Sequence, residues 1–382
     1  MKFAHLGDCH LGGWRHPELR ELNFKSFQLA IEKCIREKVE FVLIAGDLFD
    51  SPYPSIEILK ETFREFRRLK ETGIPVFIIA GSHDYSVSGK TFLEVLEKSG
   101  FCTNVSVYEE RNGVLLLEPT LFKNVAIYGY PGKKSALEVD DIERIKLQDT
   151  PGLFKILMLH TSIHDAIGDL PVKSVDERHL PKVDYLALGH LHIHYQRENR
   201  VYSGPIFPNT LSELEELKGG SFYIFENGKL RREDIQIKPV LSIIFETKNS
   251  LEATEKIFTL LEKEEVRDKI VILKVFGVLE KGKVSDIDFS AIEAALKKRG
   301  CYVFLKSTTR LFVPEPEFKL DIIDSTHLET EIIKNFEKTN PSKFNYLIPD
   351  MMKSLQSEKK EDEKSTVFEE RLLSEMRRIL KL

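Results

Sequence analysis

The chain of 382 residues is 42% hydrophobic and 31% charged with a formal net charge of −5, which excludes a globally basic nucleic-acid binder and requires a local basic face for any DNA partner. Its four cysteines, Cys9, Cys34, Cys102 and Cys301, are scattered without CxxC spacing, which excludes a disulfide framework and a thiolate metal site. The length predicts one large domain with smaller appendages, and no apolar run approaches the ~20 residues of a membrane span, so no membrane partner is expected.

Met1 leads straight into an apolar run without a charged-then-apolar leader, so an intracellular protein is expected. Residues 2–7 read as a short buried strand that must turn at Gly12-Gly13, leaving Asp8 and His10 where strand becomes loop. In an extended segment residues two apart project to one side, so this pair offers oxygen and nitrogen donors to one cation. Over 18–38 a helical stripe (Leu19, Leu22, Phe27, Ile31, Cys34, Ile35) connects to a strand at 40–45 that ends in Gly46-Asp47-Leu48-Phe49-Asp50, a βαβ unit. A second helix, 55–70, precedes a strand at 75–80 that ends in Gly81-Ser82-His83-Asp84.

Shorter β-rich runs at 105–108, 114–117 and 125–130 predict a second sheet packed on the first. Strands at 154–159 and 184–188 then end in His160 and in Gly189-His190-Leu191-His192. Asn227-Gly228 marks a hairpin between 221–225 and 232–238, and residues 1–238 read as one α/β sandwich. Beyond Pro239 the runs 241–246, 251–261, 270–276, 289–298 and 302–305 alternate β-α-β-α-β, a small separate domain closed by Pro314-Glu315-Pro316. The remainder, 315–382, has helical stripes at Leu328, Ile332, Ile333 and Phe336 and at Phe344, Leu347, Ile348, Met351 and Leu355. A charged linker at 357–365 follows, and a last helix from near Thr366 carries Phe368, Leu372, Leu373, Met376 and Ile379. Such stripes need a partner surface.

Five strand ends therefore present metal-binding side chains. Any one of them reads most simply as a helix cap or a satisfied core histidine, but five together do not. His5, His16, His164, His179, His194 and His327 take no role in this reading. The mixed nitrogen and oxygen set suits a pair of manganese, iron or zinc ions, because its candidate ligands exceed one coordination shell. Two ions about 3.5–4 Å apart select phosphoester hydrolysis.

The ordered motifs D-x-H, G-D-x-x-D, G-S-H-D, H and G-H-x-H resemble the calcineurin-like metallophosphoesterase superfamily over roughly residues 1–203. The wording KFAHLGDCHLG, VLIAGDLFDS and LALGHLH is similar to the archaeal and bacterial double-strand-break repair nucleases of the meiotic-recombination-eleven or SbcD type. That resemblance implies an α/β sandwich of two mixed sheets flanked by helices (1–238), a small α+β capping domain that shapes DNA access (239–314), and C-terminal helices (315–382). Those helices would dock on an ABC-type coiled-coil ATPase. It implies a manganese-dependent DNA exonuclease and endonuclease, a homodimer, and a place at the nucleoid. By the same resemblance Asp8, His10, Asp47 and His192 hold one ion, and Asp47, Ser82, His160 and His190 the other. His83 acts on the phosphate or as general acid on the leaving oxygen, and Asp50 hydrogen-bonds to it. Ser82 stands where the family usually has asparagine, which predicts a weaker second site.

The same five motifs would also serve a phosphodiesterase or phosphatase for small phosphodiesters or phosphoproteins. A third reading is a catalytically weak scaffold that bridges DNA ends. Candidate basic faces are Lys133-Lys134, Arg197 with Arg200, Arg231-Arg232 and Lys297-Lys298-Arg299.

Overall fold

The computed structural model describes residues 1–86, 91–168, 170–313, 333–334, 336–337, 342–359 and 365–380. Within Met1–Val313 the chain builds two six-stranded mixed sheets. The first runs Lys229–Ile235, Gly220–Glu226, Lys2–Leu6, Phe41–Ala45, Val76–Ile79 and Thr103–Asn104. The second runs Tyr195–Arg197, Arg200–Tyr202, Tyr185–Gly189, Phe154–His160, Val125–Tyr130 and Thr120–Phe122. The central strands of both sheets are parallel, so their C-terminal ends lie along one edge of each sheet. Parallel strands of this kind present their carboxyl ends to ligands.

Side-chain alternation decides the layering. On the strand Phe41–Ala45, Phe41 and Leu43 face the space between the sheets, where they meet Phe3, Phe77, Ile127, Ile156 and Met158. Val42 and Ile44 face the other way, under the helices Pro17–Arg36 and Ile56–Glu71, with Leu19, Phe27, Ile31 and Phe66. Each such fully buried side chain contributes about 1.5–3 kcal/mol, so the sandwich holds its strand ends on a stiff frame. Pro17 at the first turn of its helix needs no backbone N–H there, consistent with the start of that helix.

Two expectations need correction. Residues 105–107 do not form a strand, because the Asn104 side chain accepts from the Ser106 N–H (3.0 Å) and turns the chain, and a strand starts only at Tyr108. The run Val114–Leu117 joins neither main sheet; it pairs with Tyr108–Arg111 and Ile145–Leu147 in a separate three-stranded sheet. The hairpin at Asn227-Gly228 is a two-residue turn with both residues at positive φ (48° and 84°), and its second strand is Lys229–Ile235.

After Pro239 a parallel sheet forms from Val240–Glu246, Ile270–Val278 and Val303–Phe312. Helices Ala253–Glu262 and Phe289–Lys298 cover one face around Val271, Leu273, Ile257 and Ile292. From the opposite face Ile270, Ile272, Val303 and Leu305 join the core beneath the helix Pro17–Arg36.

In the second unit, Pro314–Leu382, a 3-10 turn at Asn345–Leu347 continues into the helix Ile348–Leu355, and a last helix spans Ser365–Leu380. The Ser354 hydroxyl donates to Glu375 across the pair (2.9 Å), while Phe344, Tyr346, Leu355 and Leu373 stay exposed. His327, Leu328, Ile332, the Pro314-Glu315-Pro316 break and the middle of the charged linker lie outside the described residues. No helix among the described residues is long and apolar enough to cross a membrane.

Candidate metal centre

Loops from both sheets meet at their C-terminal edges. The loops after Lys2–Leu6 and Phe41–Ala45 run on side by side: Asp8 N–H donates to Gly46 O (3.2 Å), His10 N–H to Asp47 O (2.9 Å) and Leu11 N–H to Leu48 O (3.0 Å). Four candidate ligands sit in the left-handed region, Asp8 (φ 50°), His10 (42°), Asp47 (49°) and His190 (95°). Residues other than glycine pay about 1–3 kcal/mol each for such backbone, so neighbouring contacts must impose it. Asp84 is one such clamp: its buried carboxylate accepts from Leu48 N–H (3.1 Å), Phe49 N–H (3.0 Å) and Gly81 N–H (3.1 Å). Asn23 is another, donating to Cys9 O (2.8 Å). At Gly81 and Gly189 any side chain would strike the Asp47 carboxylate or the Ala45 carbonyl, so glycine alone permits the approach of these loops.

Asp8, Asp47, His10 and His160 are at most 2% exposed. Donor atoms of Asp8, His10 and His192 lie within 4.8 Å of one another, and so do those of Asp8, Asp47 and His160. His10 and His192 face each other Nε2 to Nε2 at 3.1 Å. The far nitrogen of each ring is already committed: His10 Nδ1 lies 3.2 Å from Asp50 Oδ1, and His192 Nδ1 lies 3.0 Å from Glu213 Oε2. A carboxylate only accepts, so both Nδ1 atoms carry the proton and both Nε2 lone pairs point into one space. His160 repeats the arrangement, with Nδ1 donating to Ala45 O (3.0 Å). Its Nε2 is buried without a hydrogen bond, 3.1 Å from Asp47 Oδ2 but not aligned with it. Asp8 Oδ2 is likewise buried and unpartnered, while Asp8 Oδ1 accepts from His190 N–H (2.9 Å). Converging nitrogen donors and buried polar atoms without a hydrogen bond are what a pair of divalent cations would satisfy once His160 Nε2 gives up any proton it holds, so this donor set fits them.

Asp47 stands between the groups. Its Oδ2 lies 3.7 Å from His10 Nε2 and 3.4 Å from Ser82 Oγ, and its Oδ1 accepts from His83 N–H (2.7 Å). The His190 ring packs edge-on against that of His160 (5.2 Å between centroids). His83 is half-exposed, and its Nδ1 donates to the Asp50 backbone carbonyl (3.0 Å). The expected hydrogen bond between His83 and Asp50 is thus made at the Asp50 backbone, while its carboxylate stands 3.6 Å from the ring, drawn to His10 and to the Asn209 amide (3.3 Å).

Burial raises the pKa of the Asp8 carboxyl. Burial acts the same way on Asp47, but the adjacent His160 and His10 outweigh it and hold Asp47 well below the usual carboxylate range. Burial alone would depress His160, yet Asp47 and Asp8 push it up to about 10. Burial, with His160 beside it, lowers His190 to about 4. Without a cation, then, His160 carries a proton at pH 7 that a ligating Nε2 cannot keep. Metal loading at pH 7 is expected to release at least one proton, and apparent affinity to rise with pH by about tenfold per unit for each proton displaced. Calorimetry in two buffers of different ionisation enthalpy measures that release; uptake without it would show that His160 does not ligate.

Asp84, Asn209 and Glu213 escaped the sequence reading. Asp84 stood in view inside G-S-H-D without a role. Glu213 ends the T-x-x-E helix start at Thr210, a capping signal, and it also accepts from Asn209 N–H (2.8 Å) while holding His192.

The family model described as calcineurin-like phosphoesterase matches residues 1–194. The DNA double-strand break repair protein Mre11 of Methanosarcina acetivorans is 29% identical over 351 residues, covering 87% of this chain and 55% of that protein. The chain thus spans about half the length of that relative. Mre11 of Methanocaldococcus jannaschii is 29% identical over 349 residues, 87% of this chain and 88% of its own. The uncharacterized metallophosphoesterase YhaO of Bacillus subtilis is 32% identical over 208 residues, 50% of this chain and 48% of its own. With the family match spanning half of its length and the His/Asp centre seated at the converging strand ends, the chain belongs to the calcineurin-like phosphoesterases.

Proposed function

We propose that this protein is a two-metal, manganese-dependent DNA nuclease, exonuclease and endonuclease, that processes DNA ends in double-strand break repair. The observation that carries the proposal is the pair of donor groups that meet at Asp8 with Asp47 close to both, the Nε2 atoms of His10 and His192 turned to one another, and His160 Nε2 and Asp8 Oδ2 buried without a hydrogen bond. The likeness to Mre11 proteins over 87% of the chain supports DNA as the substrate. When bound, the two ions would activate water and stabilise charge on the phosphoryl oxygens.

Asp8, His10, Asp47 and His192 would hold one ion, and Asp47, Ser82, His160 and His190 the other. His83 lines the cleft, and with Nδ1–H fixed on the Asp50 carbonyl, the imidazolium form of the ring would hand its Nε2 proton to the leaving oxygen and keep the Nδ1 bond. Residues 239–314 would cap the site and shape DNA access. In the second unit, the exposed Val367 and Leu373 on the last helix and Phe344 and Tyr346 beside the shorter one would dock on an ABC-type coiled-coil ATPase. The homodimer of the resembled family belongs to the same proposal.

Manganese-dependent hydrolysis of end-labelled duplex DNA, set beside a chromogenic phosphodiester, tests this reading. Cleavage of the small diester with none of DNA would favour the small-substrate phosphodiesterase, and no cleavage of either would favour the scaffold. Ser82 adds a specific expectation. Its hydroxyl lies 3.4 Å from the shared Asp47 oxygen on a side chain shorter than asparagine, so the second ion should bind more weakly and leave room for a water. Activity should keep rising with manganese beyond saturation of the first site, and Ser82→Asn should shift the curve to lower manganese. Two equivalent tight sites in the unaltered protein would show that the serine ligates as well as asparagine would.

A further inference from the structure

The cleft over the centre measures about 580 Å³, with Asp50, Ser82, His83 and His190 on one side and residues 133–136 on the other. That second wall is built rigidly. Lys133 N–H donates to the buried Glu138 carboxylate (3.1 Å), whose other oxygen accepts from Thr161 Oγ1 (3.1 Å), one residue after His160. The Lys133 ammonium pairs with Asp141 and lies over the Tyr130 ring (5.5 Å). Ser135 (φ 60°) and Ala136 (φ 53°) hold consecutive left-handed conformations, so the chain makes a fixed, strained corner there. Between them and Lys133 stands Lys134, exposed, its ammonium without an ion-pair partner among the described residues.

The other basic candidates differ: Lys298 is exposed and without an ion-pair partner among the described residues too, but it does not line this cleft, and the rest are held. Arg197 and Arg200 pair with Asp165, Arg231 with Glu37 and Glu233, Arg232 with Asp234, and Lys297 with Glu293. Arg299 donates to the carbonyls of Leu261 and Glu264. Within these clusters, cations held by carboxylates or carbonyls have little charge to offer a ligand, whereas Lys134 keeps its own at the mouth of the site.

We propose that Lys134 is a positioning residue that takes the phosphate next to the scissile one, so that the cleft selects a polynucleotide over a single-phosphate diester. This rests on the nuclease reading above. A strand carries one phosphate per ~3.4 Å of helix axis, so a chain whose scissile phosphate sits at the centre brings another to the cleft mouth. A small diester has no second phosphate to offer. Because the ammonium is exposed, its pull on that phosphate is screened by salt, which supplies the signature of the contact.

The test uses the full chain with manganese, a short DNA duplex and bis(p-nitrophenyl) phosphate, over a salt series. Lys134→Ala should raise KM for the duplex roughly three- to tenfold near 0.1 M salt with a much smaller change in kcat, and lower the slope of log KM against log salt by about 0.7–0.9. Lys134→Arg should restore that slope. The ratio of duplex to chromogenic-diester efficiency should fall severalfold in Lys134→Ala. Equal loss on both substrates would overturn the proposal by placing Lys134 at the reacting phosphate or in the fold, and an unchanged salt slope would overturn it by making Lys134 solvated surface. Hydrolysis of the chromogenic diester but not of DNA by the unaltered protein would remove the nuclease reading itself, an outcome distinct from either.

Discussion

His83→Ala is expected to slow phosphodiester cleavage by roughly 10²–10⁴-fold while both ions stay bound. The expectation rests on which atoms of His83 do what. Its backbone N–H, not its ring, holds Asp47 Oδ1 (2.7 Å), and alanine keeps that bond. The ring stands edge-on to His10 (4.7 Å between centroids), spends Nδ1 on the Asp50 carbonyl, and is 46% exposed where His10 is 2% exposed. Donor atoms of His10, Asp50 and His83 also come within 4.8 Å of one another, but His10 reaches Asp50 with its protonated Nδ1, which cannot also ligate. That trio is a hydrogen-bonded support for the His10 ring rather than a third ion site. Single-turnover cleavage and metal content measured on the same preparation decide the matter. A near-normal rate, or loss of an ion, would show that the ring has another job.

Much of this centre was legible because strand ends are written plainly in sequence. An apolar run that stops at Gly-Asp, Gly-Ser-His or Gly-His marks both the end of a buried parallel strand and the residues it delivers. The runs before Asp47, Ser82 and His190 end within one residue of the observed strands. What was illegible depends on contacts between segments distant in the chain. Glu213 fixes His192 from 21 residues away, and Asn209 reaches Asp50 across 159. Asn209 stands in no motif, and the T-x-x-E start that contains Glu213 says only that a helix begins there. The split of the 105–117 region was illegible for a different reason: a single Asn104 side-chain bond overrides the β propensity of Val105 and Val107.

Asp84 exposes the cost of assembling so much charge. Burial, and after it the Asp47 carboxylate, raises its pKa to about 7. A carboxyl raised in the fold above its unfolded value takes stability away as pH climbs from about 4 toward 7. The clamp on the two ligand loops is thus held partly at the expense of the metal-free fold, and cations at the centre would offset that repulsion.

Asp47→Asn should have the largest effect of any single change, abolishing tight binding of both ions and lowering cleavage by more than roughly 10⁴-fold, since the two-ion arrangement needs both sites filled. The amide keeps the size and shape of the carboxylate and can still accept from His83 N–H, so the loop geometry has no steric reason to change. What disappears is a charge that stands close to a histidine of each donor group, 3.7 Å from His10 Nε2 and 3.1 Å from His160 Nε2. The metal-free protein provides an independent readout. His160 stands at about 10 because Asp47 and Asp8 overcome the burial that would otherwise depress it. With asparagine in place, the first of those carboxylates is gone, and His160 should titrate far lower, toward the ordinary histidine range or beneath it. Metal analysis after dialysis and an NMR titration of the His160 ring follow the two consequences separately. A variant that retains one tightly bound ion would mean that Asp47 serves a single site, and a His160 that still titrates near 10 would mean that another group supplies the charge.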